Sequence, residues 1–241
     1  MNVKYLALEI KRVVRNPRFL IFTVGLPVVF YFLFSSINAQ GNDADRVRVV
    51  VMVGMAAFGG LTAAVSSGTR IAVERGAGWQ RQLRLTPMSG GAYLVTKALV
   101  GMIVGLGPLL LVCLIGGLTG VHLTAAEWLQ VTAGTWIGLL PLAILGVLVG
   151  QLATPDSVQA IGSGVFLLLS MFGGLWFPPA AMPSWLANIA HVVPSFWYGG
   201  IGRGVVFHDL NVGTTVLVLG AWTVGLAALA ARRFRADTAR V

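Results

Sequence analysis

Residues 73–93 read VERGAGWQRQLRLTPMSGGAY, Val73 to Tyr93, a basic, glycine-broken and proline-stopped insert lying between two long apolar runs. Within it Trp79, Leu83 and Leu85 or Thr86 share one helical face, and Arg75, Arg81, Gln82 and Arg84 populate the others. Gly76 and Gly78 weaken the start of a helix here and Pro87 limits its end, so the pattern predicts a helix of two to three turns. Two readings fit such a segment. It is a docking peg that places Trp79 and Leu83 in a groove of a soluble partner, rimmed by Arg81 and Arg84, since aromatic and arginine anchors concentrate binding energy. Or it is a basic loop that only fixes topology.

What surrounds the insert decides the class of protein. The chain has 241 residues, 56% of them hydrophobic and only 10% charged, with a mean hydropathy of +0.83. An ordinary soluble domain carries about 25% charged residues, so this chain cannot cover a soluble surface and belongs in a membrane. A hydrocarbon core of about 30 Å takes about 20 apolar residues as a helix. Six runs qualify: Phe19 to Ile37, Val47 to Gly68, Tyr93 to Leu118, Trp128 to Ala153, Val158 to Phe177 and Val212 to Ala231. The first is longer than the roughly 7–15 apolar residues of a signal peptide and is expected to be retained.

The formal charge of +9 is gathered in three clusters that flank apolar runs, which points to membrane topology and not to nucleic acid. Lys4, Lys11, Arg12, Arg15 and Arg18, then Arg70, Arg75, Arg81, Arg84 and Lys97, then Arg232, Arg233, Arg235 and Arg240 fall on one side of a six-span arrangement. Arg46, Arg48 and Arg203 are left for the other, so both termini are expected in the cytoplasm. Two segments do not cross. Met1 to Arg15 sets Val3, Leu6, Ile10, Val13 and Val14 against Lys4, Lys11, Arg12 and Arg15, the pattern of a helix lying in the headgroup layer. Pro178 to Arg203 has prolines at 178, 179, 183 and 194 around a short apolar face at Trp185, Leu186 and Ile189. This suits a re-entrant or interfacial pair of short helices with Trp176, Trp185, Trp197 and Tyr198 at the headgroups.

Several chemistries are disfavoured. Glu127, Asp156 and Asp209 fall at span ends or in loops, so an ion-driven carrier lacks its midplane carboxylate. Gly162-Ser163-Gly164 has no glycine two places before the serine and no histidine in a later span, which argues against an intramembrane serine protease; close helix packing explains the small residues better. Neither a metal-ligand cluster nor a phosphate-binding loop is present, so no catalytic or metal residue is assigned and ATP hydrolysis is not expected of this chain. The single cysteine, Cys113, cannot form an intrachain disulfide.

Glu74, Arg75, Gly78, Leu83 and Pro87 follow the E-R-x-x-G-x-x-x-x-L-x-x-x-P pattern after the second span, with the glycine register met by the Gly76/Gly78 pair. This resembles the membrane subunits of ABC-2-type ATP-binding cassette exporters. The block Gly173 to Val205, with its aromatic-proline step, Pro183 to Leu186 turn and Pro194, and the entry RNPRFL at Arg15 to Leu20 are similar to the same family, so the resemblance covers nearly the whole chain. It favours the docking reading of the insert. It implies an all-α membrane protein with six transmembrane helices in a single transmembrane domain over 1–241: an interfacial helix at 1–18, a cytoplasmic coupling helix at 74–88 and an outer gate at 178–203.

The resemblance further implies a permease in the bacterial cytoplasmic membrane, paired with a second permease subunit, identical or homologous. Two copies of a separate ATPase subunit would bring the ATP and magnesium; no cofactor is expected in this chain. Glu74, Arg75, Trp79, Arg81, Leu83, Arg84 and Pro87 would dock the ATPase, and Pro178, Pro183, Trp185 and Pro194 would shape the outer gate. Phe58, Phe166, Phe172 and Trp176 are pathway candidates on the second and fifth spans, although rings at helical spacing are more often core. They suit a hydrophobic or amphipathic cargo such as a drug, an antibiotic or a lipid-like molecule. A glycan or peptide permease, or a scaffold that recruits a cytoplasmic protein without moving anything, are the alternatives.

Overall fold

The computed structural model describes residues 3–38, 44–79, 82, 89–176 and 182–239, and the regular structure among them is helical. In chain order these helices are α1 (Val3–Val14), α2 (Pro17–Leu20), α3 (Leu26–Asn38), α4 (Ala44–Gly76), α5 (Gly90–Leu118), α6 (Ala125–Leu129), α7 (Thr135–Gly138), α8 (Leu140–Leu152), α9 (Val158–Phe172), α10 (Ser184–Ala190), α11 (Pro194–Phe207) and α12 (Val212–Ala239). Four stretches are long and apolar enough to cross a membrane: Ala44–Gly76, Gly90–Leu118, Ala125–Leu152 and Val212–Ala236. Ile21–Ile37 and Val158–Phe172 are shorter apolar helices.

Helix α4 is the axis of the bundle, packed against α3, α5, α8, α9 and α11. Apolar burial does not drive association between helices in lipid, so close backbone approach must. Gly68 of α4 and Gly146 and Gly150 of α8 meet backbone to backbone, and a methyl group added at any of them would strike the opposing main chain. On α5, Gly101 and Gly105 approach Ala64 and Gly60 less tightly, and a methyl group at Gly105 would meet the Leu139 side chain first. Gly162 approaches Thr69 closely, as the small-residue reading of that segment requires, whereas Gly164 faces open space. The apolar core then forms on either side of α4, around Phe58, Leu61, Leu142 and Tyr198 in one half and Tyr31, Met52, Leu109 and Val112 in the other.

The interruptions in the helices have local causes. A π-helical turn at Ile21–Gly25 leads into α3, its wider bonding closed by Leu26 N–H to the Ile21 carbonyl. The next residue is Pro27, which has no N–H to give Thr23 and whose ring would crowd that carbonyl in a regular helix; the wider turn relieves both. In the third long stretch, α6 begins with a capping box in which Thr124 and Glu127 bond each other's backbone N–H. A second π-helical turn at Gln130–Gly134 and a break at Leu139 before Pro141 divide the remainder.

Two expectations need revision. The helix of the fifth apolar run stops at Phe172, short of Phe177, because Gly174 adopts a left-handed conformation (φ 61°). Leu175 N–H bonds the Ser170 carbonyl at 3.2 Å and Gly174 N–H the Met171 carbonyl at 3.1 Å, a Schellman stop. Fifteen residues make about 22 Å of helix, less than a hydrocarbon core. The second concerns α1, whose apolar side does not lie open to lipid. Val13, Leu6 and Ile10 pack onto Ala63 of α4 and Val100 and Val104 of α5, leaving Leu8 and Val14 exposed.

The short helices after α9 return into the bundle. Helix α11 starts with Pro194 at its first turn, where a missing N–H costs nothing, and sinks Tyr198 fully into the core with its hydroxyl donating to the Ala57 carbonyl at 2.9 Å. Helix α11 is thus packed into the bundle and does not lie on its surface.

Candidate functional site

The foot of the insert is a buried ionic knot. Glu74, near the end of α4, accepts from Lys97 Nζ at 2.6 Å and from the Tyr93 hydroxyl at 2.8 Å. Lys97 also donates to Glu9 of α1 at 2.7 Å. Its side chain is 1% exposed and both acids are 7% exposed. Arg12 reaches Glu74 at 3.7 Å from the solvent side, so two acids face two cations. A buried ion pair is tolerated only when its partners are satisfied together, and this one is satisfied by residues from three helices. Tyr5 of α1 lies beside it; burial raises its hydroxyl well above the ordinary tyrosine range, and the carboxylates of Glu9 and Glu74 push the same way. It therefore stays a neutral phenol.

Trp79 is half-buried and packs with Tyr5, Tyr93, Ile71, Leu94 and Phe234 of α12. Arg75 donates to the Gln151 main-chain carbonyl at the end of α8, a helix end with carbonyls to spare. Between them Gly78, with φ 73°, releases the chain from α4 in a conformation that suits glycine alone. Of the residues expected to dock an ATPase, Glu74, Arg75 and Trp79 are thus turned into the bundle and anchor the insert from within. Arg81, Leu83, Arg84 and Pro87 lie outside the described residues.

Two cavities line up along the flank of α4. One, of about 500 Å³, lies at the end that carries the termini, between the start of α3, α4 and the start of α9, and is lined by Asn16, Thr23, Ser66, Arg70 and Gln159 among others. The second, of about 620 Å³, lies at the opposite end, walled by Phe34, Val50, Trp176 and Phe207 with Arg46 and Arg203. Rings stand between them. Phe58 touches Phe30 (6.1 Å between centroids), Phe166 (5.1 Å) and Trp176 (5.8 Å). Three of the four pathway candidates, Phe58, Phe166 and Trp176, therefore meet in one barrier. Phe172, half-buried, lines neither cavity.

At the far end, Arg203 of α11 clasps the exit of α9. It donates to the carbonyls of Gly173 (2.8 Å), Gly174 (3.1 Å) and Phe196 (3.1 Å) and is 9% exposed. Among the expected gate residues, Pro194 is buried at the head of α11, Pro183 precedes α10, and Trp185 is 64% exposed. Pro178 lies outside the described residues.

In the sequence Lys97 and Arg203 counted only toward topology, and Glu9 not at all. The signal was there for Glu9 and Lys97. Glu9 is three residues after Leu6 and four before Val13, on the apolar side of α1, and Lys97 sits one turn inside an apolar run. A lone acid and a lone cation in apolar surroundings call for each other.

Four helical stretches long and apolar enough to cross, packed around one another, make this a multi-pass membrane protein. The chain belongs to the ABC-2 type transporter family, whose model matches residues 5–207. It is 29% identical over 229 residues, covering 92% of this chain and 93% of the relative, to the Bacillus subtilis (strain 168) protein named "Putative transport permease YvfS". Membership in this family implies a partner ABC ATPase.

Proposed function

We propose that this chain is the permease subunit of an ATP-driven exporter, moving a hydrophobic or amphipathic small molecule out of the cytoplasm or inner leaflet. The observation that carries this reading is the pair of cavities separated by the Phe30, Phe58, Phe166 and Trp176 rings, added to the transporter family. Six apolar segments cross or enter the cytoplasmic membrane, both termini are cytoplasmic, and two permeases stand over two ATPase copies. The cargo enters the cavity nearer the termini, passes when the rings part, and leaves from the opposite one.

The insert from Glu74 to Pro87 receives the motion of the ATPase. ATP binding favours one arrangement of the docked insert and so shifts the packing of the bundle. The ionic knot supports this role, because it joins α1, α4 and α5 where the insert begins. Glu74 and Trp79 act here as positioning residues, transmitting movement to the spans, while Arg81, Leu83 and Arg84 contact the ATPase.

The test is to purify the chain with its native partner in mild detergent and measure ATPase rate and export in vesicles. The wild type is expected to bring down a phosphate-loop ATPase. Trp79→Ala is expected to leave membrane insertion intact, keep basal hydrolysis and lower export by about tenfold or more, as uncoupling requires. Wild-type export in that variant, or recovery of the chain with no ATPase, would count against the reading.

A further inference from the structure

We infer that the cavity remote from the termini is a binding site for an amphiphile with an anionic head group. This deepens the reading of a small amphipathic cargo and rests on it only for the question of whether the ligand is moved. The polar side chains that line the cavity, among the described residues, are all donors: Arg46, Arg203 and the indole of Trp176. The remaining walls are apolar, with Phe34, Val50 and Phe207 among them. At about 620 Å³ the cavity has the size of an ordinary small-molecule site.

Three observations show that the donors want an acceptor. Arg203 is 9% exposed, yet no carboxylate lies within ion-pair distance of it among the described residues. Two of its three carbonyl bonds go to the end of α9 and the third to Phe196 in the first turn of α11, and a helix end contributes only about half a negative charge. Arg46 stacks over Phe207 at 4.6 Å, while the neighbouring Asp45 pairs with Arg48 at 3.3 Å. The Trp176 Nε1 is buried without a hydrogen-bond partner, which is uncommon and costly for a donor. A buried guanidinium with no carboxylate in contact and only Asp209 acting on it from further off, a second cation at the rim and an orphaned N–H around an apolar chamber favour a carboxylate or phosphate head on a hydrocarbon body. A cation gains nothing from this wall. The other cavity differs in kind, since Asn16, Thr23, Ser66 and Gln159 offer acceptors as well as donors.

The experiment uses the purified full chain in phosphatidylcholine nanodiscs and three probes with one chain length: tetradecyl phosphate, tetradecylphosphocholine and tetradecyltrimethylammonium. Tetradecyl phosphate is expected to bind saturably and at least about tenfold more tightly than the cation. Arg46→Glu, at an exposed rim position, and Val50→Trp, which fills the chamber without altering charge, are each expected to weaken it by about tenfold; Arg203→Gln follows if that variant stays folded. Loss of binding when phosphatidylglycerol is added to the disc identifies a bilayer lipid as the natural occupant, and persistence identifies a non-bilayer amphiphile; either supports the site. Equal binding of the three probes, or wild-type affinity in both Arg46→Glu and Val50→Trp, overturns it. No ATPase is needed, so that failure leaves the coupling reading standing, and an uncoupled Trp79 result leaves this one standing.

Discussion

Lys97 is the residue on which the end of the bundle nearest the insert turns. Its ammonium is shared by Glu9 and Glu74 in a site almost closed to water. Removing the cation while leaving both acids strands like charges in a dry pocket, at a cost of about 3–5 kcal/mol. Lys97→Met is therefore expected to lower the unfolding temperature of the detergent-purified protein markedly, and adding Glu9→Gln and Glu74→Gln to restore much of the loss. The single cysteine, Cys113, is buried, so a thiol-reactive dye reads the transition directly. An unchanged midpoint in Lys97→Met would show that the knot contributes nothing. At this scale the sequence was half legible. Glu74 stood out through its motif, but hydropathy alone does not say that an acid on a cationic amphipathic helix and a lysine at a span entry face each other; that depends on how α1 folds back onto α5.

At the scale of elements, apolar runs announced the helices well and their packing poorly. Composition located each long stretch, because the spacing of prolines and glycines bounds it. It could not show that α4 would be the axis, since the cue is which glycines meet backbone. Gly146 and Gly150 lie four apart on α8 and meet Gly68 on α4. Gly146→Leu is expected to prevent α4 and α8 from closing, giving aggregated material on size exclusion, whereas Gly164→Leu, with open space at its position, is expected to remain monodisperse. Equal behaviour of the two would refute the assignment of the contact. The early end of α9 was misjudged for a related reason: Leu175 and Trp176 continue the apolar run after the helix has stopped at the Gly173-Gly174 pair.

For the whole molecule, the distribution of basic residues makes a topological prediction. A reporter fused after Val241 is expected to read cytoplasmic and one placed between Gly41 and Asp45 to read external. The opposite labelling would invert the proposed pathway, with the Arg46 and Arg203 cavity then facing the cytoplasm. The basic clusters behind this expectation are visible in the sequence. The two cavities are not, because their walls come from segments far apart in the chain, α3 with α4 and the α9–α11 return.

The ionic knot also fixes an order of birth. Glu9 and Glu74 leave the ribosome before Lys97, so for a time both acids exist without the cation that neutralises them. Neither can be withdrawn from water until α5 has entered the bilayer and delivered its lysine. The first helix described is thus held back: α1 closes onto α4 no earlier than α5 arrives with Lys97.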